Sequence, residues 1–399
     1  MRRALLSSRL GRVLLVVLAG IVLGTIAGLA LLWPGKVDFE LGAGLNAESE
    51  RAEIVKVESF RCSGFQTDEC RRAQVMLRSG SDAGERTTLE LGADGPNPDL
   101  DVGDQVRVTK SPAAPPAEPG VAQPPASPSY TITDFERRAP MLWLAIAFAV
   151  CVVAFGRLRG ALSLVGLAIS LAVVLVFVVP AILDGKSPVW VAIVGSLAVM
   201  IVTISLAHGL GPKSVAAMLG TAASLLLTVG LALAFRDLTH LTGLSSEEAT
   251  LLQINDAGVS LEGLLLAGIV IGALGVLDDV TISQSSTVMA LRAANPALRF
   301  RELYSRALEV GRDHVSATVN TLVLAYVGAS LPVLLIFSSG SLGVFDAVNV
   351  ELIAKEVVAM LVGSIGLIAA VPITTALAAL LSAQLDPTEL EREGAAHAH

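Results

Sequence analysis

The amino-acid sequence predicts an α-helical polytopic membrane protein, about eight transmembrane helices with a small extracytoplasmic β domain. Three observations carry that expectation. Apolar residues fill 53% of the 399 positions and charged residues only 16%, against about 25% charged in soluble domains. The apolar residues fall in long unbroken runs instead of the spread of a globular core. One stretch outside those runs, residues 36–110, alternates polar and apolar with period two. The charge balance, 28 Lys and Arg against 36 Asp and Glu for a net −8, leaves no basic domain large enough to hold nucleic acid. Three cysteines are too few for a disulfide scaffold or a four-ligand zinc site.

A spanning helix needs about 20 apolar residues. Eight segments approach that length: 13–33, 140–156, 160–180, 188–207, 214–235, 259–281, 315–337 and 356–381. The first follows Arg2, Arg3, Arg9 and Arg12 and runs apolar to Trp33. It reads as an uncleaved anchor, with a cleaved signal peptide as the competing reading. Basic residues of short loops stay on the cytoplasmic side. Placing the N-terminus there puts Arg157, Arg159, Lys213, Arg292, Arg299, Arg301, Arg306 and Arg312 inside, and the base-poor loops 181–187, 236–258 and 338–355 outside. The expected location is therefore a plasma membrane, multi-pass, with both termini cytoplasmic and residues 36–139 extracytoplasmic. The domains follow: 1–35 as N-terminus and first anchor, 36–110 as the β domain, 111–139 as a Pro-rich linker and lead-in, 140–381 as a seven-helix membrane domain, and 382–399 as a disordered cytoplasmic tail.

Within 36–110, AEIVKVES, AQVMLRS, RTTLELG and DQVRVT read as strands separated by Gly and Asp. Cys62 and Cys70 lie in RCSGFQTDEC on the side where disulfides persist. A local disulfide is expected, two free thiols being the alternative; Cys151 reads as a small apolar residue. The seven prolines of 111–129 favour an extended tether.

The informative residues are those that lipid excludes. In LEGLLLAGIVIGALGVLDDVTISQSSTVMALR, residues 261–292, the apolar run leads directly into Asp278 and Asp279. An ionised carboxylate in hydrocarbon costs roughly 2.5–3.5 kcal/mol even on the lenient insertion scale, so it demands water or partners. Helical spacing puts Asp279 on a face with Ser283 and Ser286, and Asp278 in line with Thr281 and Ser285, with Gln284 widening the stripe. Gly268, Gly272 and Gly275 before the pair would admit a close neighbouring helix. A buried, protonatable pair is the leading reading. A helix that ends near Asp278 with both acids solvated is the competing one, and cation binding a third. In the next span, Arg312, Asp313 and His314 sit at the mouth, with Asn320, Thr321 and Tyr326 deeper. These would complete a relay with the acids, against the plainer roles of anchor for Arg312 and interhelical hydrogen bonding for Asn320 and Thr321. His208 reads mainly as the end of the fourth span. Glu351 and Lys355 are spaced for an ion pair, Glu356 is a further transport candidate, and Pro372 with Thr374 and Thr375 predicts a break or kink in the last span.

GALGVLDDVTISQ, GRDHVSATVNTLVLAY and GSIGLIAAVPITT resemble the YibE/F family of bacterial multispanning membrane proteins, over most of the chain beyond residue 50. The resemblance names no substrate. More distantly, VLDDVTISQSSTVMALR is similar to the RND and SecDF-type transporter segment whose membrane-embedded Asp-Asp pair takes part in proton coupling. That likeness implies a proton-coupling role for Asp278 and Asp279, with Thr321 near a polar Thr of the following helix. Eight spans instead of twelve, one small outer module and Gln284 or Ser285 near a customary Glu argue against drug efflux. They favour a half-unit acting as a homo-oligomer or beside an envelope partner.

The expected function is a proton-coupled membrane transporter or export component moving an unknown small solute across the lipid bilayer. The alternative is a non-transporting envelope assembly or scaffold protein whose β domain docks a partner. Adjacent carboxylates are poorly placed to clamp a water from opposite sides, and Walker A, Rossmann, HExxH and GxSxG motifs are absent from the sequence. No enzymatic activity, cofactor or metal is expected.

Overall fold

Long apolar runs can satisfy their backbone in lipid only as helices, and most of the chain is helical. The computed structural model describes residues 8–35, 49–60, 70–91, 99–110, 130–254, 258–340 and 343–383. Two units emerge: residues 1–39 with 152–399, and residues 40–151.

The helices in chain order are α1 (Arg9–Leu31), α2 (Arg138–Val173), a π-helical turn Val174–Val178 leading into α3 (Val179–Leu183), α4 (Pro188–His208), α5 (Pro212–Thr239), α6 (Glu247–Ile254), α7 (Leu261–Ala294), α8 (Phe300–Ala329), α9 (Leu331–Ser339), α10 (Val344–Asn349) and α11 (Glu351–Ser382). Their starts are locally encoded. Pro188 and Pro212 stand in the first turn, where a missing N–H costs nothing. Ser8 and Ser260 cap α1 and α7 by accepting from Gly11 N–H at 2.9 Å and Gly263 N–H at 3.1 Å.

Among the described residues, six helical segments are long and apolar enough to cross a membrane, or seven if α8 and α9 form one span bent by 62°. The expected eight exceeds this because residues 140–156 and 160–180 belong to one segment, Arg138–Leu183. It is broken at Arg157, which adopts φ 51° and ψ −131°. Gly160 closes the break tightly: a Cβ there would overlap the Val152 carbonyl oxygen. The expected break at Pro372 does not occur; α11 runs through that proline as one helix.

In the helical unit α5, α7 and α11 form the centre, with α4 against α7 and α8 against α7 and α11. Leu225, Leu277 and Leu367 are fully buried there. Small residues permit the approach. A Cβ on Gly220 would overlap Thr374 Oγ1, and one on Gly366 would overlap Thr228 Oγ1.

The second unit carries five antiparallel strands, β1 (Ser49–Phe60), β2 (Cys70–Leu77), β3 (Arg86–Leu91), β4 (Gln105–Lys110) and β5 (Tyr130–Phe135), in the order β3-β2-β1-β4-β5. Alternation places Ala52, Ile54, Val75, Leu77, Val106 and Val108 in one core. Strand β3 also lies beside β5, so the sheet curls toward a partly open barrel. The stretch expected as a lead-in to the membrane supplies β5, paired to β4 from Val106↔Phe135 to Lys110↔Tyr130. Asp82 fastens the sheet's ends, accepting from Lys110 Nζ at 2.7 Å and Tyr130 OH at 2.5 Å. Those bonds, with one from Ser81, hold its carboxyl at about 2. Cys62, the linker 111–129 and the tail 384–399 lie outside the described residues, and with them the expected Cys62–Cys70 disulfide.

Candidate functional site

Helix α7 runs 34 residues, about 50 Å at 1.5 Å per residue. Asp278 and Asp279 stand near its middle, and the helix continues to Ala294. The competing reading, a helix ending at Asp278, is thereby overturned: Thr281, Gln284 and Ser285 after the pair are held by interhelical hydrogen bonds that a frayed end would lack.

Both carboxyls line a groove of about 540 Å³ between residues 167–178, α4 and α7. Asp278 is half-buried and Asp279 exposed at the rim. Asp278 Oδ2 accepts from Thr203 Oγ1 at 3.2 Å, while Oδ1 is buried with no hydrogen-bond partner among the described residues. Thr203 has one hydroxyl hydrogen and three acceptors in reach, since Val199 O lies at 2.8 Å and Met200 O at 3.3 Å. Its bond to Asp278 therefore competes with its bond to the preceding helical turn. Ser196, two turns back along α4, also lines the groove, its Oγ buried with no hydrogen-bond partner among the described residues, and His208 lines it at the end of α4. A desolvated carboxyl with an empty lone pair, a hydroxyl that can either give to it or receive from it, and a groove wide enough for water form an arrangement able to take up and release a proton.

The polar stripe after the acids divides. Thr281 turns inward to Thr221, Oγ1 to Oγ1 at 2.6 Å. Gln284 Nε2 donates to Ala307 O at 2.7 Å and Thr375 Oγ1 at 2.8 Å, and Ser285 Oγ to Lys213 O at 2.8 Å. Ser283 faces outward. These inward residues bond α7 to α5, α8 and α11, so Thr281 serves packing more directly than it serves the groove.

Helix α8 packs on α7 through Tyr326 near Gly272 and through Gly311 against Gln284. That register leaves Arg312, Asp313, His314, Asn320 and Thr321 exposed. Thr321 Oγ1 donates to its own helix at Ala317 O, 3.0 Å. No hydrogen bond or ion pair among the described residues joins any of the five to the acids. The partner of Asp278 comes instead from α4. Thr203 is one of two hydroxyls in VMIVTISLAH, with Ser205, and nothing local says which helix either will face.

Glu356 and Tyr326 line a separate cavity of about 340 Å³. Glu351 does not pair with Lys355 as its spacing predicts. Its carboxylate accepts from Thr242 N–H at 2.9 Å, Thr242 Oγ1 at 2.8 Å and Gly243 N–H at 2.7 Å, because two backbone donors and a hydroxyl converge there. No cluster of three or more His, Cys, Asp or Glu residues is placed to hold a metal ion among the described residues.

Residues 144–384 match the family described as YibE/F-like protein. No curated protein and no solved structure matches the chain. The matched segment takes in the groove, both acids and the α5–α7–α11 centre, more than half of the sequence, and the chain belongs to the YibE/F family.

Proposed function

We propose that this chain is a proton-coupled transport or export component of a cell membrane, with Asp278 as the principal proton carrier and Asp279 as its rim partner. The observation that carries this reading is Asp278, which lines a groove halfway along α7 and whose Oδ1 is buried with no hydrogen-bond partner among the described residues. An ionised Asp278 needs the Thr203 hydrogen, which leaves Val199 O without it. A protonated Asp278 can donate to Thr203 Oγ1 and let that hydroxyl return to Val199 O. Proton uptake thus changes which helix the hydroxyl favours, and the α4–α7 contact changes with it. The solute follows the groove, and the gradient supplies the drive. The N-terminus is assigned to the cytoplasm and residues 36–139 to the far side, on the distribution of loop Arg and Lys.

Reconstitution in vesicles with a pH-sensitive dye and a solute panel tests this. The doubly substituted Asp278→Asn, Asp279→Asn protein, expressed and folded, is expected to lose proton-dependent transport; undiminished transport rejects the assignment. The second reading, an envelope scaffold, draws on the β unit forming a body of its own. Its mark is a partner that co-purifies equally well with the doubly substituted chain in the absence of a gradient.

A further inference from the structure

The cavity at the N-terminal end of α7 is built differently from the groove. Its floor is Leu264, Leu265 and Ile269. Its roof is the 242–246 loop, fixed by the Glu351 clamp and by Gly243, whose φ of +77° and closeness to the backbone of Leu261, 2.5 Å from a Cβ to that carbonyl oxygen, exclude any side chain. The rim holds two carboxylates, Glu248 and Glu356, and one ammonium, Lys355. Glu248 is already served: its own backbone N–H and the Ser246 hydroxyl bond to it and hold its carboxyl below the usual range, and Lys355 adds its charge. Lys355 acts on Glu248 by its charge alone, with no ion pair between the two. Glu356 is left with no ion pair or hydrogen bond among the described residues, close enough to act electrostatically on Tyr326. Ser245, in the same lining, has its Oγ buried with no hydrogen-bond partner among the described residues.

We propose that this cavity binds a small organic cation of the alkylammonium class. Its N–H groups are met by the Glu356 carboxylate and Ser245 Oγ, its charge by the face of Tyr326, and its alkyl chain by the leucine floor. The lining carries two carboxylates against one ammonium, a balance that favours a cation over an anion. A divalent ion would need more carboxylates than stand together here. A cavity of about 340 Å³ with an apolar floor suits an amine of a few carbons. The site goes beyond the proton chemistry of the groove, and its binding is read without a gradient, so it stands or falls separately from that reading.

Calorimetric titration of the full-length protein in lipid nanodiscs with butylammonium, butyrate and butanol is the test. Butylammonium is expected to bind and butyrate not to. Glu356→Gln should weaken the amine about tenfold or more, Glu356→Asp should restore part of the affinity, and Lys355→Gln should not weaken it. Equal binding of butanol, stronger binding of butyrate, no amine binding by the unsubstituted chain, or an unchanged Glu356→Gln isotherm would overturn the proposal. Should Glu356→Gln fail to fold, methyl NMR of the unsubstituted protein decides: shifts of Leu264 and Leu265 on amine addition support the site, and their absence overturns it.

Discussion

The two units of this chain handle polar groups in opposite ways. In the β unit most charges are at least partly exposed and paired, as Arg78 with Glu53, Lys110 with Asp82 at 2.7 Å and Arg137 with Asp134, Glu50 Oε2 being buried without a partner among the described residues. In the helical unit polar atoms are buried and several lack a partner among the described residues, including Ser196, Ser224, Ser364 and Thr374 hydroxyls and Asp278 Oδ1. Water solvates the first set whether or not it pairs, so each pair adds little to stability. In the second set an unmet group costs about 1–3 kcal/mol, and more when charged. A hydroxyl has a refuge, the carbonyl one turn back, as Thr228 uses Ser224 O and Thr375 uses Val371 O. An ionised carboxylate has none, because it can only accept. A carboxyl beside a groove in an apolar helix is therefore a stronger functional sign than any number of buried hydroxyls near it.

The contrast can be broken at several points. The largest effect on stability is expected from Gly220→Val, which drives a side chain into Thr374 at the α5–α11 contact and should cost about 1–3 kcal/mol, read as a lower midpoint of unfolding in detergent. In the same helix Gly230 meets nothing within 4 Å, so Gly230→Ala should leave that midpoint unchanged or raise it by the equivalent of about 0.5–1 kcal/mol. Thr203→Val removes the hydroxyl partner of Asp278 while keeping shape. Proton-dependent transport is expected to fall about tenfold with little change in folding, and an unchanged rate would remove Thr203 from the mechanism.

The smallest effect belongs to the β unit. Asp82 has its carboxyl lowered from 3.8 to about 2 by Lys110 and Tyr130. A carboxyl lowered by folding stabilises the fold above its unfolded value and loses that contribution as pH falls through its folded value. Amide exchange of β4 and β5 should therefore quicken between about pH 4 and pH 2, and Asp82→Asn should flatten that dependence while shifting unfolding at pH 7 only slightly.

Much of this architecture was legible in the residues. Apolar run length located the long helices but not their number, six or seven among the described residues where eight were expected, while alternation located four strands and DD inside GALGVLDDVTISQ the acids. Position within one element was readable because periodicity is a local property. Adjacency between elements was not. Asn320 and Thr321 have the right chemistry for a relay, but the α7–α8 register is set by Gly272 with Tyr326 and by Gln284 with Gly311, and it turns them outward. The strand Tyr130–Phe135 was hidden because YTITDF follows a proline-rich stretch and pairs with β4 across 19 intervening residues, 111–129. Pro372 leaves α11 unbroken because neighbouring helices hold it on both sides of that turn.

The most direct measurement is infrared difference spectroscopy of the carboxyl stretch in the reconstituted protein, unsubstituted and with Asp278→Asn, across a pH series. The account expects a protonated-carboxyl band that disappears in Asp278→Asn and whose midpoint moves when Thr203→Val alters the α4 contact. A band absent at every pH, or one with the same midpoint in the unsubstituted and Thr203→Val proteins, would contradict it.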